Sequence, residues 1–249
     1  MTPTEAGLKL SKAKEEKQVN ATLFKQIVGS LRFLCNNKPN ICYVVGIISR
    51  FKESPRVSHM LAAKHVLRYV KGTTNFGVLY PNETRCVDVD MIGFTDSDWK
   101  KDPDEKKNTA SYVFMYCRAP ISWSSRKQDI VALSTCEAEY VAGALGACQA
   151  VWLKSLLEEL QLRENKPVKI MMDNQLAINL AKHPVAHCRT KHIETRFHFL
   201  CDQVSKGKVD VEFCRSEDQV VDVMTKTLRH ERFKEFRKLL GMQTLEDLN

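Results

Sequence analysis

The chain predicts an α/β protein in which a mixed five-stranded sheet carries helices on both faces and is preceded by a small helical region. Three observations lead there. Five short runs, at 91–98, 110–117, 121–125, 168–172 and 209–214, are apolar, aromatic or β-branched over strand-like lengths. The first three follow one another with no helix between them, as in an antiparallel meander, and helical patterns then alternate with the last two. Residues 21–80, by contrast, read as helices apart from one short strand signal at 77–80.

Taken in order, residues 1–20 are Lys/Glu-rich, nearly free of large apolar side chains, and predict a flexible lead-in. A first helix is expected from about Thr22, as N-cap, with Leu23, Phe24, Ile27, Val28, Leu31 and Leu34 at helical spacing and a stop before Asn36 and Asn37. A second spans 41–51. A third runs from Ser58 as cap to Lys71, with Gly72 as the stop. Leu61, Leu67 and Val70 are placed inward, and Lys64, Arg68 and Lys71 fall along one edge. Such an edge is commonly a solvated helix face; beside a nuclease site it would be a rail for phosphates. Residues 81–90 read as a polar linker, so the helical region ends at 80 and the α/β domain is expected over 91–227.

Within that domain the strand at 91–98 leads into a charged loop and two further strands. Thr135 is the expected cap of a long helix to Leu160, with Ala138, Val141, Leu145 and Cys148 inward and Gly143 and Gly146 permitting close packing on the sheet. Residues 174–182, 192–206 and 218–226 read as helices, and 232–240 as the terminal helix of a C-terminal segment, 228–249.

Length and composition are those of an ordinary globular protein: 249 residues, 43% hydrophobic, 27% charged. No apolar run approaches the roughly eighteen residues of a membrane span, and residues 1–17 lack a secretory apolar core, so an intracellular, cytoplasmic or nuclear, protein is expected. Nine cysteines, odd in number and without a C-x-x-C pair, predict reduced thiols. Residues 1–90 carry 14 Lys+Arg against 7 Asp+Glu, and the remainder 24 against 23, so nearly all of the +8 charge sits in the front third. A basic segment beside a charge-balanced one fits a nucleic-acid grip next to a site that uses its acids locally.

The acids point to chemistry. In GFTDSDW, Asp96 and Asp98 share one face of a strand end, an arrangement that calls for a cation unless it is solvated. Glu139 lies in the first turns of a helix among Ala138, Val141 and Ala142. Asp173 closes an apolar strand, and Asp222 stands among Val220, Val221 and Val223. Acids in apolar surroundings are expected to be paired, hydrogen-bonded or metal-bound. Spacing alone leaves Asp222 and Asp218, one turn apart, as alternatives.

The stretches GFTDSDW, ISWSSRKQ, ALSTCEAEYVA, DNQLAINLA, RTKHIETRFHFL and SEDQVVDVMTK resemble, in order and spacing, the ribonuclease H domain that closes the Pol polyprotein of copia-type LTR retrotransposons. GSLRFL, NICYVVGIISRF and HMLAAKHVLRYVKGT are similar to the thumb or connection end of the reverse transcriptase of the same elements. Together these cover nearly the whole chain. The resemblance implies a ribonuclease H-like fold and a set of four acids, Asp96, Glu139, Asp173 and Asp222. Glu139 rather than Glu137 matches the motif, and because two helix residues are about 200° apart only one can face the site. Asp98 becomes a candidate for an outer, supporting acid.

An all-oxygen ligand set without His or thiolate suits Mg²⁺ or Mn²⁺, two ions about 4 Å apart in the two-metal scheme. The implied reaction is cleavage of the RNA strand of an RNA:DNA hybrid to leave 5′-phosphates, without a small-molecule cofactor. Lys64, Arg68, Lys71, Arg189, Lys191 and His192 are the expected phosphate contacts, and Phe197 and Phe199 the anchors of their helix. A rival zinc site among His183, His187, Cys188, His192, His198 and Cys201 matches no common finger spacing. The sequence departs from the family in lacking a histidine over 209–221 and in carrying Lys100, Lys101 and Ser111 where small or acidic residues, or Gly, are usual. It has no Tyr-x-Asp-Asp motif, so no polymerase activity is expected.

Overall fold

The computed structural model describes residues 1–12, 15–80, 90–99, 104–162, 166–183 and 195–244. The chain opens with three helices, α1 (Ala21–Leu34), α2 (Cys42–Ile48) and α3 (Val57–Lys71). The cap of α1 is Asn20, not Thr22: its Oδ1 accepts the Leu23 N–H at 3.0 Å, leaving Phe24, Val28 and Leu31 as the buried stripe. Ser58 does not cap α3. The cap is Arg56, two residues earlier, where the Arg56 N–H donates to His59 Nδ1 at 3.0 Å and the Ser58 N–H donates to Glu16 Oε2 at 2.9 Å.

Glu16 belongs to the Lys/Glu-rich lead-in, whose described residues run along the body of the protein. Leu10 is buried, and Gln18 bridges to Arg56. On α3 the buried stripe is Ala62, Ala63, Val66 and Tyr69, whereas Leu61 and Leu67 are 59% and 38% exposed. The helix is thus rotated from its expected setting. Small alanines and one large aromatic ring meet the core, and the leucines share the solvent side with Lys64, Arg68 and Lys71.

The sheet has five strands, β2 (Ile92–Ser97), β3 (Thr109–Tyr116), β4 (Ala119–Lys127), β5 (Val168–Met172) and β6 (Val209–Phe213), in the order β4-β3-β2-β5-β6. The β2-β3-β4 meander is antiparallel, and β5 and β6 join it in parallel, which makes the sheet mixed as expected. Pairing of Phe94 with Met171 puts Asp96 and Asp173, each two residues further on, at the same end of adjacent parallel strands. A separate two-stranded sheet pairs β1 (Phe76–Val78) with β7 (Met242–Thr244). The C-terminal segment was expected to hold one helix over 232–240. Its helix α7 (His230–Leu239) stops before Gly241, whose φ of +70° turns the chain back into β7.

One face of the sheet is covered by α4 (Thr135–Glu159), α5 (Gln175–Lys182) and α6 (Phe199–Ser205), packed over Phe114, Ile170, Met172 and Val211. The other face is covered by α1–α3, α7 and the 3-10 turn Val220–Met224, which form one continuous core with Val113 of the sheet. Ser134 rather than Thr135 caps α4, accepting the Glu137 N–H at 3.1 Å. Cys148, expected inward, is exposed, and Ala144 and Ala147 take the buried positions around it. The 18-residue apolar window within α4 is long enough to cross a bilayer, contrary to the sequence reading, but 61% of it is buried, as for the core helix of a globular fold.

Contact between α4 and the sheet is close at Gly146, where a Cβ would sit 2.5 Å from Thr95 Cγ2. The expected result for Gly146→Ala is a net loss of about 1–2 kcal/mol in a thermal or urea melt, overpacking outweighing a gain of about 1 kcal/mol in helix propensity. Gly29→Ala, on α1 with nothing within 4 Å of the added Cβ, is expected to stabilise by about 0.5–1 kcal/mol.

Candidate metal centre

Asp96, on β2, is 2% exposed, Glu139, in the second turn of α4, is 6% exposed, and Asp173, just past β5, is half-buried. One ligand oxygen from each lies within 4.8 Å of the others. Separate backbone and side-chain donors fix each carboxylate. The Thr225 hydroxyl donates to Asp96 Oδ2, the Ser97 N–H to Glu139 Oε1 at 3.0 Å, and the Ser216 hydroxyl to Asp173 Oδ2 at 3.0 Å. Glu139 Oε2 is buried without a hydrogen-bond partner. A buried, unpartnered oxygen on an acid that converges with two others calls for a proton or a cation.

Asp222 completes the neighbourhood from the other side. It lies in the 3-10 turn Val220–Met224, shorter than the helix expected over 218–226, and is buried while Asp218 is exposed. Of the two alternatives that spacing leaves open, Asp222 is the buried one. Lys226, one turn after Asp222, places its Nζ 2.7 Å from Asp222 Oδ1 and 3.9 Å from Asp96 Oδ2.

Electrostatics follow from this crowding. Burial first, then the charges of Asp96 and Asp173, push the Glu139 carboxyl well above the usual range. Burial and Asp96 raise Asp173, partly offset by the Ser216 hydrogen bond. Burial and Asp96 push Asp222 up to about 7 against the pull of Lys226. Burial alone would lower the Lys226 ammonium, but Asp96 and Asp222 outweigh it and hold it above the ordinary lysine value.

Asp98, the candidate supporting acid, is bound to the neighbouring strand. Its carboxylate accepts the Thr109 N–H, Arg50 of the front helices donates to Thr109 Oγ1 at 3.0 Å, and Asp98 lines a small cavity with Tyr43, Arg50 and Leu10. It therefore ties the end of β2 to β3 where the front helices meet the sheet. Glu137 likewise turns away, accepting the Leu133 N–H at 2.6 Å in the loop before α4.

Lys64, Arg68 and Lys71 are all exposed on α3. Among the described residues none forms an ion pair with the acids. Arg189, Lys191 and His192 lie outside the described residues, as do Lys100 and Lys101. Phe197 is buried in the core beside α4, and Phe199 packs against it. Of the rival zinc ligands, His183, His198 and Cys201 are described, and the metal-capable grouping found among the described residues contains none of them.

Sequence reasoning missed Lys226, Thr225 and Ser216. Lys226 was detectable by its i+4 spacing from Asp222; the two hydroxyls gave no signal. Ser111, the departure from Gly, lies opposite Asp96 across the β2-β3 ladder, and its hydroxyl donates to the Met224 carbonyl at 2.7 Å, as does that of Ser125. Both hydroxyls fasten the turn that carries Asp222 to the sheet that carries Asp96.

The donor set is wholly carboxylate, its oxygens converge, and one of them is buried without a partner, so these residues fit a hard divalent ion. No family model matches the chain. It is 36% identical over 241 residues to the retrovirus-related Pol polyprotein from transposon RE1 of Arabidopsis thaliana, a match covering 97% of this chain and 16% of that protein. It is 34% identical over 250 residues to the Pol polyprotein from transposon TNT 1-94 of Nicotiana tabacum, covering 98% of this chain and 18% of that one. The N-terminal RNase H domain of rv2228c from Mycobacterium tuberculosis, solved as a fusion with maltose binding protein, aligns at a TM-score of 0.39 and 14% identity, over 60% of this chain and 97% of that one. The chain thus spans under a fifth of the length of the two polyproteins. The chain matches a fragment of retrovirus-related Pol polyproteins from plant transposons.

Proposed function

We propose that the chain is the ribonuclease H part of such a polyprotein and cuts the RNA strand of an RNA:DNA hybrid endonucleolytically, using divalent metal ions, Mg²⁺ or Mn²⁺. The observation that carries this reading is the convergence of Asp96, Glu139 and Asp173 oxygens within 4.8 Å. Asp96, Glu139 and Asp173 would hold one ion, with Asp222 and Asp96 available to a second. Such ions supply an activated water and neutralise charge on the phosphate and the leaving 3′ oxygen.

The chain's own residues supply orientation. Thr225, the Ser97 N–H and Ser216 keep three carboxylates from rotating, so little reorganisation remains for the reaction. Asp173, the most exposed acid of the three, would be the one to meet an approaching phosphate, with Asp96 and Glu139 buried behind it. Discrimination of hybrid from DNA duplex would rest on 2′-hydroxyl contacts and groove shape. Phosphate contacts would come from Lys64, Arg68 and Lys71, and from Arg189, Lys191 and His192.

The expected result with a labelled hybrid and Mg²⁺ is cleavage of the RNA strand into 5′-phosphate products, abolished by EDTA and absent on duplex DNA. The exposed cations of α3 favour one alternative, a nucleic-acid-binding remnant without catalysis. Binding that weakens steeply with salt, in a protein that never cuts, would establish the alternative instead.

A further inference from the structure

We propose that Lys226 is a built-in counter-cation of the acid cluster. Its ammonium holds the Asp96–Asp222 side against a divalent ion, so the Asp96–Glu139–Asp173 side takes metal first and a second ion enters only as Lys226 withdraws. The inference rests on the reading of the cluster as a metal centre and adds an order of loading to it.

The two sides of the cluster differ in how their charge is met. On one side Lys226 Nζ bridges Asp222 Oδ1 at 2.7 Å and Asp96 Oδ2 at 3.9 Å, against carboxylates only 9% and 3% exposed. On the other, no described cation forms an ion pair with Glu139 or Asp173; Glu139 Oε2 and Asp222 Oδ1 are both buried without a hydrogen-bond partner, so the ion pair to Lys226 is what sets the two sides apart. A divalent ion held by Asp222 and Asp96 would compete with Lys226 for the same two carboxylates, and two cations brought that close repel strongly.

The lysine is also held in place. Its backbone N–H closes a turn onto the Asp222 carbonyl at 3.0 Å. It lines a small cavity with Thr2, Tyr43, Val44 and Leu228, so the N-terminal strap and the front helices wall it in. The lysine side chain nevertheless keeps 33% of its surface exposed, which gives the ammonium a way out. The front helices thus help to position a side chain inside the acid site, a link that does not depend on their gripping nucleic acid.

Calorimetric titration of the full chain with Mn²⁺ alone tests the proposal. Wild type is expected to bind one ion in a tight phase and a second at least about tenfold more weakly; in Lys226→Met, which keeps the apolar stem, the weak phase tightens by about tenfold and the tight phase by less. Lys226→Arg, which keeps the charge, is expected to retain two separated phases. Wild type provides an independent reading should the Met variant fail to fold: the Lys226 ¹³Cε resonance, assigned by its loss in Lys226→Arg, should stay in place with the first equivalent of Mg²⁺ and shift with the second. Identical Mn²⁺ binding in wild type and Lys226→Met, or a resonance that moves with the first equivalent, overturns the proposal and leaves the metal centre standing. Binding of no Mn²⁺ by any of these proteins overturns the metal centre and the proposal together.

Discussion

Asp96→Asn is expected to lower single-turnover cleavage of an RNA:DNA hybrid by about 10³-fold or more while leaving the metal-free protein folded. Asp96 is the carboxylate common to both sides of the site. It contributes a ligand oxygen to the grouping with Glu139 and Asp173, and it is the acid that Lys226 shares with Asp222. An amide has nearly the same shape, can still accept from the Thr225 hydroxyl, and removes one hard anionic ligand. Loss of several kcal/mol of transition-state stabilisation converts to about three powers of ten at about 1.4 kcal/mol each.

The same change should not harm the fold. The charge of Asp96 raises the pKa values of Glu139, Asp173 and Asp222, so its removal relieves repulsion, and the melting temperature in EDTA should hold or rise. Asp98→Asn serves as the control from the same strand end, because that carboxylate accepts the Thr109 N–H and is outside the Asp96–Glu139–Asp173 grouping. Its cleavage rate should stay within about tenfold of wild type. Unchanged cleavage by Asp96→Asn would remove the acid cluster from the mechanism.

What could be read in advance, and what could not, divides along physical lines. The strands of the sheet were legible because β-branched and aromatic runs of strand length, bounded by breakers, have few other uses; Val168–Met172 came out with its ends as expected. Asp96, Glu139 and Asp173 were legible as acids set in apolar stretches, and the order of motifs made the set specific. The rotation of α3 was not. Leu61 and Leu67 look like core residues on a helical wheel, but the space beneath the helix accepts Ala62 and Ala63, and only the tertiary packing of α1 and α2 decides that.

Lys226 was invisible as a partner of Asp96 because the contact joins residues 130 positions apart and depends on the turn at Val220–Met224. β7 was hidden in a short C-terminal run whose partner among the described strands is β1, so neither a hydrophobic period nor a turn signal marked it. Asp98 shows the limit of alternation as a guide. Sharing a strand face with Asp96 placed it nominally in the site, yet β2 ends at Ser97, and the next carboxylate is free to turn toward Thr109.

Without metal, the protein is expected to lose stability as pH rises from about 4 to about 7, and with millimolar Mg²⁺ this dependence should reverse. Asp222 is held at about 7 in the fold against an ordinary value of 3.8. Between those values the native state keeps a proton that the unfolded chain has released, so the native state binds more protons and stability falls with pH. At about 1.36 kcal/mol per pH unit, Asp222 alone accounts for a fall of about 4 kcal/mol, and Glu139 and Asp173, both raised, add in the same direction. Lys226, raised above 10.5, keeps its charge throughout and gives no slope in this window.

A divalent ion binds the deprotonated carboxylates of the native state only, so stabilisation by metal grows with pH while the metal-free curve declines. Urea melts at several pH values, with EDTA and with Mg²⁺, should give two curves that diverge above about pH 5. Titration calorimetry near pH 6, in buffers of different ionisation enthalpy, should show protons released as the ion enters. Asp96→Asn should flatten the metal-free slope, because Asp96 is the leading charge that raises Asp222. A metal-free stability that is flat or rises between about pH 4 and 7 would mean that these acids do not face one another in solution.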